Sequence, residues 1–141
     1  MNKNTNAQST LLLVDDDADL LDGLARILNI AGHRCLRARN QEDACRLVQE
    51  TEIDLMISDI NLGGHSGLDL CARLRKEFGM QDLPVMFLSG AQIPDVISRA
   101  HAAGATYYLR KPFDAEVLLE LVDKALWMPH LTRKQPAPTG A

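Results

Sequence analysis

Three consecutive carboxylates, Asp15-Asp16-Asp17, follow the apolar run Leu11-Leu12-Leu13-Val14, and no Lys or Arg separates them. Two carboxylates ~5 Å apart repel by roughly 3 kcal/mol at an effective dielectric of ~20. The run therefore reads either as a solvated turn that caps a helix or as a cation site. Three other residues end apolar runs in the same way. Asp59 follows IDLMIS at 53–58, Ser89 closes PVMFLS at 84–89, and Lys111 closes YYLRK at 107–111. Acids gathered at one place favour a hard divalent ion. Mg2+ fits best, because it takes one or two carboxylates and fills its octahedron with water and phosphate oxygens. No His or Cys belongs to the set, which disfavours zinc. A hydroxyl and an ammonium suit a phosphoryl group: Ser89 can donate to one oxygen and Lys111 can neutralise another. Phosphoryl transfer is mainly positioning plus charge neutralisation, and a carboxylate can itself be the nucleophile. Asp59, alone at the end of its run, is best placed for that.

For this chemistry the five positions must converge. Leu11–Val14, Ile53–Ser58 and Pro84–Ser89 are short apolar runs of the kind that form strands buried on both faces. Arg34–Arg39 alternates, as an edge strand with a solvated side would, and Tyr107–Lys111 is a fifth strand. Helical spacing links them. Leu20, Leu21, Leu24, Ile27, Leu28 and Ala31 form one apolar stripe, with Asp17 or a neighbour as cap and Gly32 as stop. Gln41–Glu50, Leu68–Glu77 and Pro94–Ala103 are further helices. A fifth and final helix, after the fifth strand, is capped by Asp114 and buries Val117, Leu118, Leu121, Val122 and Ala125. Parallel strands need helical crossovers. The pattern is α/β: a doubly wound five-stranded parallel sheet, most economically in the order 2-1-3-4-5, a flavodoxin-like (βα)5 fold. In such sheets the functional crevice lies at the carboxyl ends of the strands. Asp15, Asp16, Asp59, Ser89 and Lys111 all sit at those ends.

The bulk properties agree with one domain. The chain has 141 residues, 46% of them hydrophobic and 24% charged, a globular composition. A net charge of -4 argues against a surface built for nucleic acid. Cys35, Cys45 and Cys71 have no metal-ligand spacing and read as reduced thiols. No apolar run approaches the ~20 residues of a membrane span, and MNKNTNAQST lacks the apolar core of a signal peptide. A soluble cytoplasmic protein is expected, with residues 1–8 and 129–141 as a polar tail and a flexible tail or linker around a domain at 9–128.

VDDD after the first strand, SDIN after the third, LSG after the fourth and LRKPF after the fifth together resemble the response-regulator receiver domain of two-component signal transduction. The spacing agrees, with thirty residues from Asp59 to Ser89 and twenty-two from there to Lys111. The resemblance implies that Asp59 accepts a phosphoryl group from the phosphohistidine of a histidine kinase or phosphotransfer protein. It implies a Mg2+ cofactor held by Asp15, Asp16, Asp59 and the backbone carbonyl of Asn61. Ser89 and Tyr108 fall at the family's switch positions, and Lys111-Pro112 at its cis peptide. Asn61 and Ala91 fall at positions that tune the lifetime of the phosphoryl group. The implied output is a changed surface on the fourth helix, fifth strand and fifth helix (α4-β5-α5), which binds a downstream protein or supports a phosphorylation-dependent homodimer. The chain would be a signalling switch that assists its own phosphoryl transfer and autodephosphorylation, not an enzyme with a turnover substrate.

After Asn61 the family usually has Met-Pro-x-Met-Asp-Gly, whereas this chain has Leu-Gly-Gly-His-Ser-Gly. Glycine for proline is expected to loosen that loop. Ser89 replaces the more usual threonine and keeps the donor. His65 in the loop reads as a solvated side chain, and Asp17 as a helix N-terminal acid. Two rival readings stand beside this one. The chain could be the receiver part of a larger DNA-binding or enzymatic response regulator or hybrid kinase, with PAPTGA opening a linker. A haloacid-dehalogenase-type Mg-dependent phosphatase also uses an aspartate nucleophile. It needs a second acid two residues on, and Asn61 stands there instead.

Overall fold

The computed structural model describes residues 8–90, 96–102, 104 and 107–127. Strands and helices alternate along it: β1 (Thr10–Val14), α1 (Ala18–Ile30), β2 (Arg34–Ala38), α2 (Gln41–Glu50), β3 (Leu55–Asp59), α3 (Gly67–Glu77), β4 (Val85–Ser89), α4 (Val96–Ala102), β5 (Tyr107–Arg110) and α5 (Ala115–Trp127). All five strands run parallel in one sheet, in the order β2-β1-β3-β4-β5. The doubly wound flavodoxin-like arrangement expected from the sequence is the one observed.

The three central strands, β1, β3 and β4, are buried along their whole length. Their alternate residues feed two separate cores. Leu12, Val14, Met56, Val85 and Phe87 meet α2, α3 and Ala100 of α4, while Leu11, Leu13, Leu55, Ile57, Met86 and Leu88 meet α1 and α5. Each fully buried aliphatic side chain contributes about 1.5–3 kcal/mol relative to exposure. A one-residue slip of any central strand would move its side chains to the wrong core, so the register is held firmly.

Caps set the helix limits. The Asp17 carboxylate accepts from the backbone N–H groups of Asp19 and Leu20 at 3.0 and 3.2 Å. Asn40 accepts from Asp43, Ser66 from Leu68 and Asp114 from Glu116. Each side chain satisfies a donor that the first turn leaves orphaned.

The structure departs from the sequence reading in places. On β2 both Cys35 and Leu36 are half-buried against opposite cores, so neither side of the edge strand is simply solvated. Ala31 and Val117 are exposed, and Ala25 and Cys45 take buried positions instead. Lys111 follows β5 rather than ending it.

Candidate functional site

The site lies at the carboxyl end of the sheet, where β1 and β3 diverge into α1 and α3 on opposite faces. Asp15 is the first residue past β1, and its N–H still donates to Ala38 of β2 at 3.1 Å. That bond fixes the direction in which the side chain leaves the sheet. Asp15 Oδ1 accepts from the Asp17 N–H at 2.9 Å and Oδ2 from Lys111 Nζ at 3.1 Å. Asp16 is exposed at the mouth, and Arg39 braces its backbone through the carbonyl oxygen at 2.9 Å. Asp59 ends β3 and is buried. One ligand oxygen from each of Asp15, Asp16 and Asp59 can be chosen so that all three lie within 4.8 Å of one another. Among the described residues, the side chain of opposite charge that pairs with this acidic group is that of Lys111. Lys111 Nζ is 3.1 Å from Asp15 and 3.5 Å from Asp59.

One ammonium does not offset three carboxylates. Burial raises the pKa of Asp59 above the ordinary aspartate range, and the Asp15 charge adds to that, while Lys111 opposes it. A divalent cation would remove the conflict. The donors present fit Mg2+: all are oxygens, and two of the three carboxylates are buried while the third faces the entrance.

Two glycines shape the site, and reading residue types alone missed both roles. Gly63 has φ +60°, and a Cβ there would stand 2.8 Å from Asp16 Oδ2. A Cβ on Gly67 would stand 2.1 Å from the Asp59 carbonyl oxygen. That carbonyl also accepts from Ser58 Oγ at 2.8 Å. The only signal in the sequence was the glycine-rich loop itself. Proline is confined to φ near −65°, so the family's usual proline could not take the Gly63 conformation. The loop expected to be loose is tied at several points. Asn61 pairs with Ser66, the Leu62 N–H donates to His65 at 2.8 Å, and the Gly67 N–H donates to Ile60.

The remaining expected residues fall around this centre. Ser89, buried, ends β4 opposite Arg110, and its carbonyl accepts from the Lys111 N–H at 2.8 Å. The Lys111-Pro112 peptide is cis. Asn61 is two residues past Asp59, and its side-chain oxygen accepts from the Gly63 N–H at 3.3 Å. Tyr108 pairs with Phe87, two positions down the strands from Ser89, and is half-buried against the α2–α3–α4 core. Tyr107 points to the α1–α5 side. His65 is exposed. Ala91 lies outside the described residues.

A five-stranded doubly wound sheet with this acid–lysine constellation defines a class of signalling domain, and comparison with known proteins gives the family. Residues 11–123 match the family model described as response regulator receiver domain. The chain belongs to that family, the receiver domains of two-component systems. It is 33% identical over 110 residues to the phosphate regulon transcriptional regulatory protein PhoB of Pseudomonas aeruginosa, covering 78% of this chain and 48% of that one. It is 34% identical over 119 residues to the sensory/regulatory protein RpfC of Xanthomonas campestris, covering 82% of this chain and 16% of that one. The chain thus spans about half the length, or less, of these curated relatives. Among solved structures it resembles the chemotaxis protein CheY4 of Vibrio cholerae, with a TM-score of 0.80 and 28% identity over 85% of this chain and 100% of that one. Receiver domains are signalling domains that generally bind Mg2+ at an acidic pocket and receive phosphate from histidine kinases. No helix among the described residues is long and apolar enough to cross a membrane.

Proposed function

We propose that the chain is a phosphorylation-driven switch in which Asp59 accepts a phosphoryl group from the phosphohistidine of a kinase or phosphotransfer protein. The observation that carries this reading is the buried Asp59 carboxylate, grouped with Asp15 and Asp16 and held 3.5 Å from Lys111. An Asp59 oxygen attacks phosphorus, and the bond from phosphorus to the donor's imidazole nitrogen breaks, leaving the electron pair on the ring. Asp15, Asp16, Asp59 and the Asn61 carbonyl would hold Mg2+, which supplies charge neutralisation for the phosphoryl oxygens. Lys111 turns from its carboxylate partners to a phosphoryl oxygen, and Ser89 donates a hydrogen bond to another. Those two contacts draw on β4 and β5, so the new charge biases the α4-β5-α5 surface between two conformers. Tyr108, on β5 and half-buried, is the side chain whose position reports the change. The altered surface binds a downstream protein or a second copy of the chain.

Residues 9–128 form the switching unit, and the positions beside the acceptor set how fast a water hydrolyses the acyl phosphate. A second reading concerns architecture. The chain spans 48% of PhoB but aligns with the whole of CheY4. It therefore serves either as a stand-alone receiver or as the receiver part of a larger regulator.

The role of Lys111 gives a decisive experiment. Mg2+ affinity and the phosphorylation-induced change in Tyr108 environment are measured in the parent and in Lys111→Ala. The expected result is loss of the response with Mg2+ affinity kept or increased, because a competing positive charge has gone. Collapse of Mg2+ affinity together with an intact response would contradict it.

A further inference from the structure

Arg39 follows β2 and is exposed, yet its guanidinium reaches back to the acidic turn after β1. It donates to the Asp16 carbonyl oxygen at 2.9 Å. Guanidinium groups commonly take a carboxylate in a bidentate fork. Here the acceptor is a main-chain oxygen, so the Asp16 carboxylate stays with those of Asp15 and Asp59 in the acidic group.

The carbonyl that Arg39 holds belongs to the peptide unit between Asp16 and Asp17. The N–H of that same unit donates to Asp15 Oδ1 at 2.9 Å. A peptide unit is planar, so its two ends cannot turn separately. By holding the carbonyl, Arg39 also holds the N–H that aims the Asp15 carboxylate, and it fixes the plane beside the Asp16 side chain. The Gly63 backbone limits Asp16 from elsewhere, since a Cβ there would stand 2.8 Å from Oδ2. The end of β2 thus grips the acidic turn twice, because the Ala38 carbonyl accepts from the Asp15 N–H at 3.1 Å.

We infer that Arg39 is a positioning residue for the cation site: through one peptide unit it aims both Asp15 and Asp16. The inference rests on the reading of Asp15, Asp16 and Asp59 as Mg2+ ligands. Mg2+ demands near-ideal octahedral geometry, so carboxylates held in advance bind it more tightly than ones that must first be ordered. Charge acts in the opposite sense. Arg39 is a cation close to the site, within the Debye length of ~10 Å at 0.1 M salt, and its charge alone disfavours a second cation. The two effects predict opposite signs when the side chain is replaced.

The test uses the full chain. Mg2+ affinity is measured by titration for the parent, Arg39→Met, Arg39→Lys and Asp59→Asn, in about 0.1 M and about 1 M salt. Arg39→Met keeps an unbranched stem and has neither charge nor donor. The expected result is a fall in affinity of about fivefold, the size of one typical hydrogen bond. That ratio should be kept or enlarged in high salt, where the opposing effect of charge is screened. Arg39→Lys retains a donor and the charge, and should recover most of the fall. In chelator the melting temperature of Arg39→Met should stay within about 4 °C of the parent, as for other exposed substitutions. Unchanged or higher affinity in Arg39→Met would overturn the inference. So would a fall that vanishes in high salt, a failure of Arg39→Lys to recover affinity, or a larger loss of melting temperature, which would make Arg39 a support of the fold. Asp59→Asn separates two failures. If it loses affinity while Arg39→Met does not, the cation site stands and only the role of Arg39 falls. If it binds as the parent does, the acids are not the site and both readings fall.

Discussion

Asp16 and Gly63 are 47 residues apart in sequence and set the mouth of the site together. The Gly63 backbone approaches so closely that a methyl group would overlap Asp16 Oδ2 at 2.8 Å. Gly63→Ala should therefore displace that carboxylate and strain a left-handed residue. Mg2+ affinity is expected to fall about fivefold or more, equivalent to roughly 1 kcal/mol, and calorimetric titration measures it. An unchanged affinity would mean that Asp16 does not bind the ion. At Asp59 the consequence is a pH dependence. Its folded pKa is raised, chiefly by burial, so the native state holds a proton that the unfolded chain has already released. Without metal, stability therefore falls as pH rises from the ordinary aspartate value through the raised one. Asp59→Asn should remove that fall and raise the melting temperature at neutral pH, while abolishing the extra stabilisation by Mg2+. Thermal melts across pH check both signs. A lower melting temperature for Asp59→Asn in chelator would contradict them. At position 91 the sequence offers only a methyl group beside the expected path of the hydrolytic water. Ala91→Gln adds one orienting hydrogen bond, worth ~1 kcal/mol, and should speed dephosphorylation several-fold. Single-turnover decay after removal of the donor measures it, and unchanged or slower decay would count against the role.

At the scale of elements, Arg75 shows what side-chain patterns conceal. From α3 its guanidinium donates to the carbonyls of Met80, Leu83 and Gly104 at 2.7, 2.5 and 2.6 Å. It thereby joins the turn before β4 to the turn after α4. Arg75→Ala is expected to cost about 2 kcal/mol, since charge-assisted bonds to part-buried carbonyls are lost together. That lowers the melting temperature by roughly 4–8 °C. Arg75→Lys should recover little, because a single ammonium cannot span three carbonyls in the guanidinium's fork. In the sequence Arg75 was one more polar residue on a helix. The central strands were legible because they are continuous apolar runs bounded by polar residues. Edge elements were less so. Arg34–Arg39 reads as an edge strand with a solvated side carrying Cys35, Arg37 and Arg39, yet half-buried Cys35 and Leu36 face opposite cores, since helices cover part of both sides even at the edge. Val117 fits the stripe of α5 by spacing, but it is 41% exposed because the helix buries a narrower face than its apolar positions suggest. The acid–lysine site was legible because strand ends converge in any such sheet. The roles of Gly63 and Gly67 were not, because close approach of backbone to carboxylate leaves no mark in residue type beyond glycine itself.

For the molecule as a whole, the two ends of the sheet differ in character. The carboxyl end gathers Asp15, Asp16, Asp59 and Lys111 into a charged centre, and the amino end forms an acidic groove beside the exit of α5. The family is established over residues 11–123, and the length of relatives such as PhoB leaves room for output modules of several kinds. Whatever the output, Asp59 is the residue proposed to carry the phosphoryl group. The most direct measurement is to phosphorylate the chain with a small phosphodonor and Mg2+, reduce the product with borohydride, and map the peptides by mass spectrometry. Reduction converts an aspartyl phosphate to homoserine, so the modified position is read without ambiguity. Homoserine at position 59, absent when Mg2+ is chelated and absent from Asp59→Asn, is the predicted result. Homoserine at position 15, 16 or 17, or modification that persists in Asp59→Asn or in chelator, would contradict it.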